Sequence, residues 1–481
     1  MVHSVVLDGV RIHHFGVNAD TEQADALAEI ISRTVEGPPD IAAAQRFHDA
    51  LADTDALTVV DDLLEPLAAR KVPRRRARTL FRWVLENGTH RNAIKIALGL
   101  LGLCGDERER ELFVLLGTLD EFTLYAAVAL WRSVPDPEPD LFRLARRATG
   151  WGRIHAVKRL EGTTDPTILA WLLREGFRSG IMDEYLAHFA AVNGRLLDAL
   201  AGGGAPGEVD DALLDGAGGI LSAMILSEGG PAEGLADYPD AFAALERYAE
   251  LISDAPAVLG RFSDLVVIRN HLLGGPDRLG VPAGEVVELG RRFERVLERP
   301  EWKAQVHAHL DDPEDKDFHV ALAAADRLGM RPFDAVLRRL STVPQDFLSW
   351  YRAFRWAGPE RVNELVELAG AVLPVDELST GPSEVSSVGP GYENDLALES
   401  VLRGLVHAPG SGWPLIRAGL RNRCIGARSA AVAALEAWPD VSLSAEAVSV
   451  LRLAESEEPH TGTREGLSML LARMDPAAVK D

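Results

Sequence analysis

At 481 residues the chain exceeds what one ordinary hydrophobic core serves, so two or three domains or one extended repeat array are expected. A hydrophobic content of 47% excludes a disordered chain, and charges break every apolar run short of the roughly 20 residues that a membrane-spanning helix needs. The net charge of −23 repels polyanions at long range, which argues against indiscriminate nucleic-acid binding but leaves room for a local basic groove. Cys104 and Cys424 are too few for a disulfide framework or a cysteine-only zinc site. The opening MVHSVVLDGVRIHHFG lacks the basic start, apolar run and cleavage site of a signal peptide. These features together point to a cytoplasmic protein without a membrane partner.

Residues Ser4 to Gly16 alternate around Gly9, the pattern of a small β-hairpin. Helical periodicity follows over Thr21–Thr34, Ile41–Leu51, Leu57–Ala69 and Arg74–Glu86. The last of these puts Ala77, Leu80, Phe81 and Val84 on one face and Arg74, Arg75, Arg78 and Arg82 on the other. Pro73 stands where a first turn tolerates a missing N–H. From Asn92 onward the helices come in pairs, separated by the cap-like aspartates Asp106, Asp136 and Asp165. Asp before Pro, at 136–137 and 165–166, marks a helix start: the carboxylate accepts an orphan backbone N–H and Pro fits the first helical position. A helix–turn–helix recurring at this spacing is the signature of an α-solenoid.

The expected organisation is a β/helix cap over 1–36, helical repeats over 37–203, a second helical block over 204–373, a Pro/Ser/Gly-rich linker over 374–392 and further repeats over 393–481. A glycine-rich joint at 201–208 interrupts the pattern. Near the C-terminus, Leu415, Ile416, Gly419 and Leu420 lead through a turn to Ala427, Ala430, Ala431, Ala434 and Leu435, with small residues where two helices approach. This portion, with its Arg-containing, Ala-rich second helix, resembles a HEAT repeat. The stretch GWGRIHAVKRLEGTTDP…LLREGF is also similar to a set of bacterial proteins. The HEAT resemblance implies an all-α fold: an α-α superhelix of HEAT-like repeats, here preceded by the small β-hairpin. HEAT-type arrays serve mostly as protein-binding scaffolds; a minority bind nucleic acid, and a few related arrays are lyases or repair enzymes.

Two constellations are candidate sites. The first is basic: Arg74, Arg75, Arg78, Arg82 and Lys95, continued by Arg153, Lys158, Arg159, Arg174 and Arg178. In a repeat array, equivalent faces align into one surface, and guanidinium forks bind carboxylates or phosphates. Against this stands a solvated face balanced by acids such as Glu107, Glu109 and Glu111. The second is a pocket formed by Trp151, His155, Trp171, Asp183, Glu184 and Tyr185, in which either carboxylate would orient His155 as an acid–base pair. Ordinary core packing is the plainer account.

Other patterns carry less. His307, His309 and His319 beside an acidic run form neither a His-Glu-x-x-His motif nor an EF-hand loop, and read as an acidic helix–helix connection without metal. Gly216, Gly218 and Gly219 read as close helix packing rather than a phosphate loop. No residue is assigned a catalytic role and no cofactor is expected. The leading expectation is a non-enzymatic scaffold holding a protein or peptide on its concave face. The alternatives are nucleic-acid binding through the basic stripe and an enzyme with a pocket near Trp151–His188.

Overall fold

The structure is a computed structural model that describes residues 7–37, 40–202, 209–275, 279–358, 360–439 and 444–474. Regular structure among these residues is helical, apart from an isolated parallel bridge between Val385 and Cys424. The hairpin expected at the start is therefore corrected: Leu7–Val10 is a turn of α-helix that runs into a π-helical turn, Arg11–Phe15, and ends at Gly16 with φ +74°. An isolated two-stranded hairpin is marginal in water, and here Asp8, Gly9 and His13 find partners on neighbouring helices instead. Residues 4–6 of that expectation lie outside the described residues, as do 203–208 of the glycine-rich joint.

The chain divides into two compact units, 1–299 and 300–481. In the first, Arg74–Asn87 packs on Arg91–Cys104, Arg110–Gly117 on Asp120–Ser133, and Glu138–Arg147 on Gly150–Lys158. The second helix of each pair also packs on the second helix of the next. That row continues through Glu184–Asn193, Asp211–Leu226 and Leu259–Leu273. In the second unit Phe347–Trp356, Glu393–Leu405, Ile425–Glu436 and Thr461–Met474 form a comparable row.

Sequence explains why the row is tight. Arg91–Cys104 is apolar almost all round and buried along most of its length, as a helix covered on both sides must be. A Cβ on Gly102 would lie 2.6 Å from the Ala129 Cα, and one on Gly216 would lie 1.9 Å from the Leu173 carbonyl oxygen. These glycines let backbones touch, which is the close packing expected of the Gly216–Gly219 cluster.

Neighbouring pairs are also tied by polar contacts of recurrent spacing. Arg78 reaches Asp106, Gly152 N–H reaches Asp120, Gly162 N–H reaches Asn193 and Arg428 reaches Glu458, at sequence separations of 28, 32, 31 and 30. Of the three expected caps, Asp106 accepts from Arg108 N–H in a capping box, and Asp165 accepts from Thr167 and Ile168 N–H with Pro166 behind it. Asp136 makes no capping bond among the described residues, and Pro137 precedes that helix. The 374–392 stretch forms no helix. It lies along the Trp413–Leu420 and Ile425–Glu436 pair through Gly381 N–H to Arg421 O and Ile425 N–H to Val385 O. No helix among the described residues is long and apolar enough to cross a membrane.

Candidate functional site

Lys95 is the one charge in the apolar run from Ala93 to Cys104, and it is 3% exposed. An unpaired buried ammonium costs several kcal/mol. Two carboxylates meet it: Glu121 at 2.5 Å, from Asp120–Ser133, and Asp8 at 2.8 Å, from the opening segment. The Tyr125 hydroxyl donates to the same Asp8 oxygen at 3.0 Å. Burial and the Asp8 charge push that phenol far above its usual range, so it remains a donor.

The rest of the opening segment follows its Asp8 anchor. Gly9 lies flat on Trp151, where a Cβ would come within 2.2 Å of the indole Cγ. Arg11 pairs with Asp55 at 2.8 Å. His13 stacks on Trp151 (5.1 Å between ring centroids, 16° between planes) and on His155 (5.6 Å, 22°), with Tyr185 tilted against it. His14 Nε2 shares a hydrogen bond with the Tyr185 hydroxyl at 2.9 Å. Trp151 itself is placed by its glycine neighbours. Gly150 takes φ +59°, and Gly152 leaves room for its N–H to donate to Asp120 at 2.5 Å, tying two successive helices together.

Burial lowers His13 to about 4, helped by the nearby charges of Lys158 and His14. Burial also lowers His155 to about 3, helped by His13 and Arg159. Both imidazoles are therefore neutral at pH 7, and the Nε2 of each has no protein partner among the described residues. Beside them lies a cleft of about 220 Å³ lined by His13, Lys158, Glu184, Tyr185, His188 and Glu233. There His188 Nδ1 pairs with Glu233 at 2.9 Å, and its Nε2 lies 3.3 Å from the Asp237 carbonyl oxygen.

Of the pocket read from sequence, Trp151, His155 and Tyr185 come together and Glu184 lines the adjoining cleft. Trp171 packs instead on Phe142, with Arg153 over its face. Asp183 accepts the Ser179 N–H at 2.8 Å. Among the described residues no carboxylate bonds to His155, so the acid–base pair expected there is not formed.

The basic residues are mostly engaged with the protein's own acids and carbonyls. Arg74 donates to the Cys104 and Gly105 carbonyls, Arg78 to Asp106 and the fully buried Glu109, and Arg82 to Glu86. Arg153 donates to the Glu175 carbonyl, Arg159 to the His155 carbonyl and Arg174 to Asp210. Arg178 lies over Phe177. Arg75 is exposed beside a groove of about 670 Å³, where Arg74, Arg78, Arg82 and Arg108 alternate with Glu86 and Asp106.

In the second unit, His309, Asp315 and Asp317 bring one ligand atom each within 4.8 Å of the others, while His319 pairs with Asp346. Asp315 is already held by His309 and the Asp317 N–H.

Asp8, His13, His14, Tyr125 and Glu233 escaped sequence reasoning, whereas His188, at the end of the pocket read from sequence, does line the cleft. One signal was present: a lone lysine inside an apolar helix demands a carboxylate from elsewhere in the chain. No protein-family model, curated protein or solved structure matches the chain.

Proposed function

We propose that the chain is a cytoplasmic HEAT-like helical-repeat scaffold that holds a protein or peptide partner on the face built by the second helices of successive pairs. The carrying observation is the recurrence of side-chain ties at 28 to 32 residues along a row of sequentially packed helices. Each unit of such a row contributes residues to a shared surface. Successive helices here contribute Lys95, Tyr125, Trp151 and Tyr185, residue types suited to anchoring a partner. The lack of a carboxylate on His155 weighs against the enzyme reading. The pairing of Arg78, Arg82 and Arg174 with acids weighs against a phosphate-binding stripe.

The test is affinity capture with crosslinking, using the intact chain and a Lys158→Glu/Tyr185→Ala variant that retains its helical circular dichroism. A protein retained by the intact chain and lost from the variant is the expected result. Equal retention by both, or none by either, would remove the reading.

A further inference from the structure

The face that carries Lys95 is already occupied. Residues 7–15 lie across four successive helices and meet each with a different chemistry. The Asp8 carboxylate takes the Lys95 ammonium and the Tyr125 hydroxyl, Gly9 sits flush on Trp151, and His13 stacks between Trp151, His155 and Tyr185. The Arg11–Phe15 turn adds no buried residue to the apolar core, and Phe15 is 79% exposed. The segment's contacts are those of a bound peptide, with one charge anchor, one position where only glycine fits and one ring in an aromatic slot.

The receptor side is equally telling. Without residues 7–15, Tyr125 would lose its acceptor, Lys95 would keep only Glu121, and a wall of Trp151, His155 and Tyr185 would stand open. A fixed cation beside a phenolic donor recognises a carboxylate. Tryptophan and tyrosine in a slot are rigid anchors that lose little conformational entropy on binding.

We infer that this face is a peptide-binding site whose resident occupant is the chain's own 7–15 segment. Its outside partner is a peptide presenting a carboxylate, an adjacent glycine and an imidazole or aromatic ring five residues beyond the carboxylate. The inference deepens the scaffold reading and rests on it for the existence of an outside partner. Residues 16–20 alone join the occupant to the next helix, Thr21–Glu36. Tethering of this kind supplies a local concentration of roughly millimolar order. A partner therefore gains the site by outcompeting the segment.

The experiment uses a fluorescent peptide LDGVRIHHF, residues 7–15, and the full-length chain carrying Gly9→Leu. The substitution wedges the occupant off Trp151 and leaves every receptor residue in place. Anisotropy should show saturable peptide binding to the Gly9→Leu chain, at least about tenfold tighter than to the unsubstituted chain, whose site is filled. A peptide carrying Asp8→Asn should bind about tenfold more weakly or worse, since a hydrogen-bonded charge contact is removed. A His13→Ala peptide should also weaken.

If the Gly9→Leu chain loses helix content, Asp8→Ala/His13→Ala in the full chain opens the same site. No binding to a folded, opened chain overturns the inference, as does equal binding of the Asp8→Asn peptide. The outcome separates from the scaffold test: peptide binding without any captured protein removes the scaffold reading and the outside partner but leaves the site for the 7–15 segment, and a captured protein without peptide binding removes this inference alone.

Discussion

The residues that cost most to bury are the ones whose partners are most informative. Arg428 and Glu458 are 0% and 3% exposed and face each other through two bonds of 2.7 Å, while Arg428 also donates to the Asn422 and Arg423 carbonyls. Removing one member of such a pair leaves the other charge stranded. Arg428→Met should therefore lower unfolding free energy in denaturant titrations by about 3–5 kcal/mol, and Arg428→Met/Glu458→Leu should recover much of it. Arg247 and Glu250 pair at 2.7 Å on the surface, and Arg247→Met should cost under about 1 kcal/mol. Equal losses at the two sites would mean that burial does not set the cost. An arginine in the Ala-rich helix was visible in the sequence; its partner 30 residues on was not, because only packing of one pair on the next brings Glu458 to it.

Elements differ in how far local pattern decides them. The Asp165-Pro166 start and the apolar stripe of Arg74–Asn87 were legible because caps and periodicity are local, and Asp106 and Asp165 act as read, whereas Asp136 makes no capping bond among the described residues. The opening segment was misread because its alternation is real but its partners lie as far as 171 residues away, at Tyr185. Glycines show the same division. Gly216→Val must push two backbones apart and should destabilise by about 1–3 kcal/mol or more, whereas Gly260, in open space on Leu259–Leu273, should accept Ala with a gain of up to about 1 kcal/mol. Thermal melts of the two variants check the pair.

The docked segment also carries a pH dependence whose sign is fixed. His13 sits at about 4 when docked and returns toward 6.5 when released, so the released form takes up the proton first. Docking is fully favourable above about 6.5 and weakens as pH falls toward 4. The charges that act on it agree: Lys158 and His14 lower it and His155 is held neutral, while of the carboxylates on the adjoining cleft, Glu184 and Glu233, the second pairs with His188. Hydrogen-exchange protection of amides 8–15, corrected for intrinsic rates, should fall between pH 7.5 and 5. His13→Phe, which keeps the stack and removes the proton, should flatten the change. A fall undiminished in that variant would assign the dependence to a group other than His13.

At the scale of the whole molecule the question is what 50 basic residues do among 73 acidic ones. Sequence reading could not tell a shared positive stripe from a ladder of ion pairs, because both have the same composition and spacing, and Arg159 and Arg178 lie beyond the ends of the helices rather than on their faces. The structure shows a ladder between residues 78 and 210. Arg78 holds Asp106 and Glu109, Arg110 holds Asp140, Arg143 holds Glu111 and Arg174 holds Asp210, each tie linking one helix pair to the next. Charge spent this way is neutralised at contact distance, and what reaches solvent at long range is the field of a chain at −23. Counterion release, the main drive for binding a polyanion, needs cations still facing ions in solution. We therefore expect a labelled DNA duplex to show no salt-steep binding to the intact chain, even at low ionic strength, and Arg75→Glu to change nothing. Arg78→Glu should instead behave as a stability mutation, because it sets a third carboxylate against Asp106 and the buried Glu109. Binding that falls steeply with salt and is lost in Arg75→Glu would show that the exposed cations of the groove work together as a phosphate site.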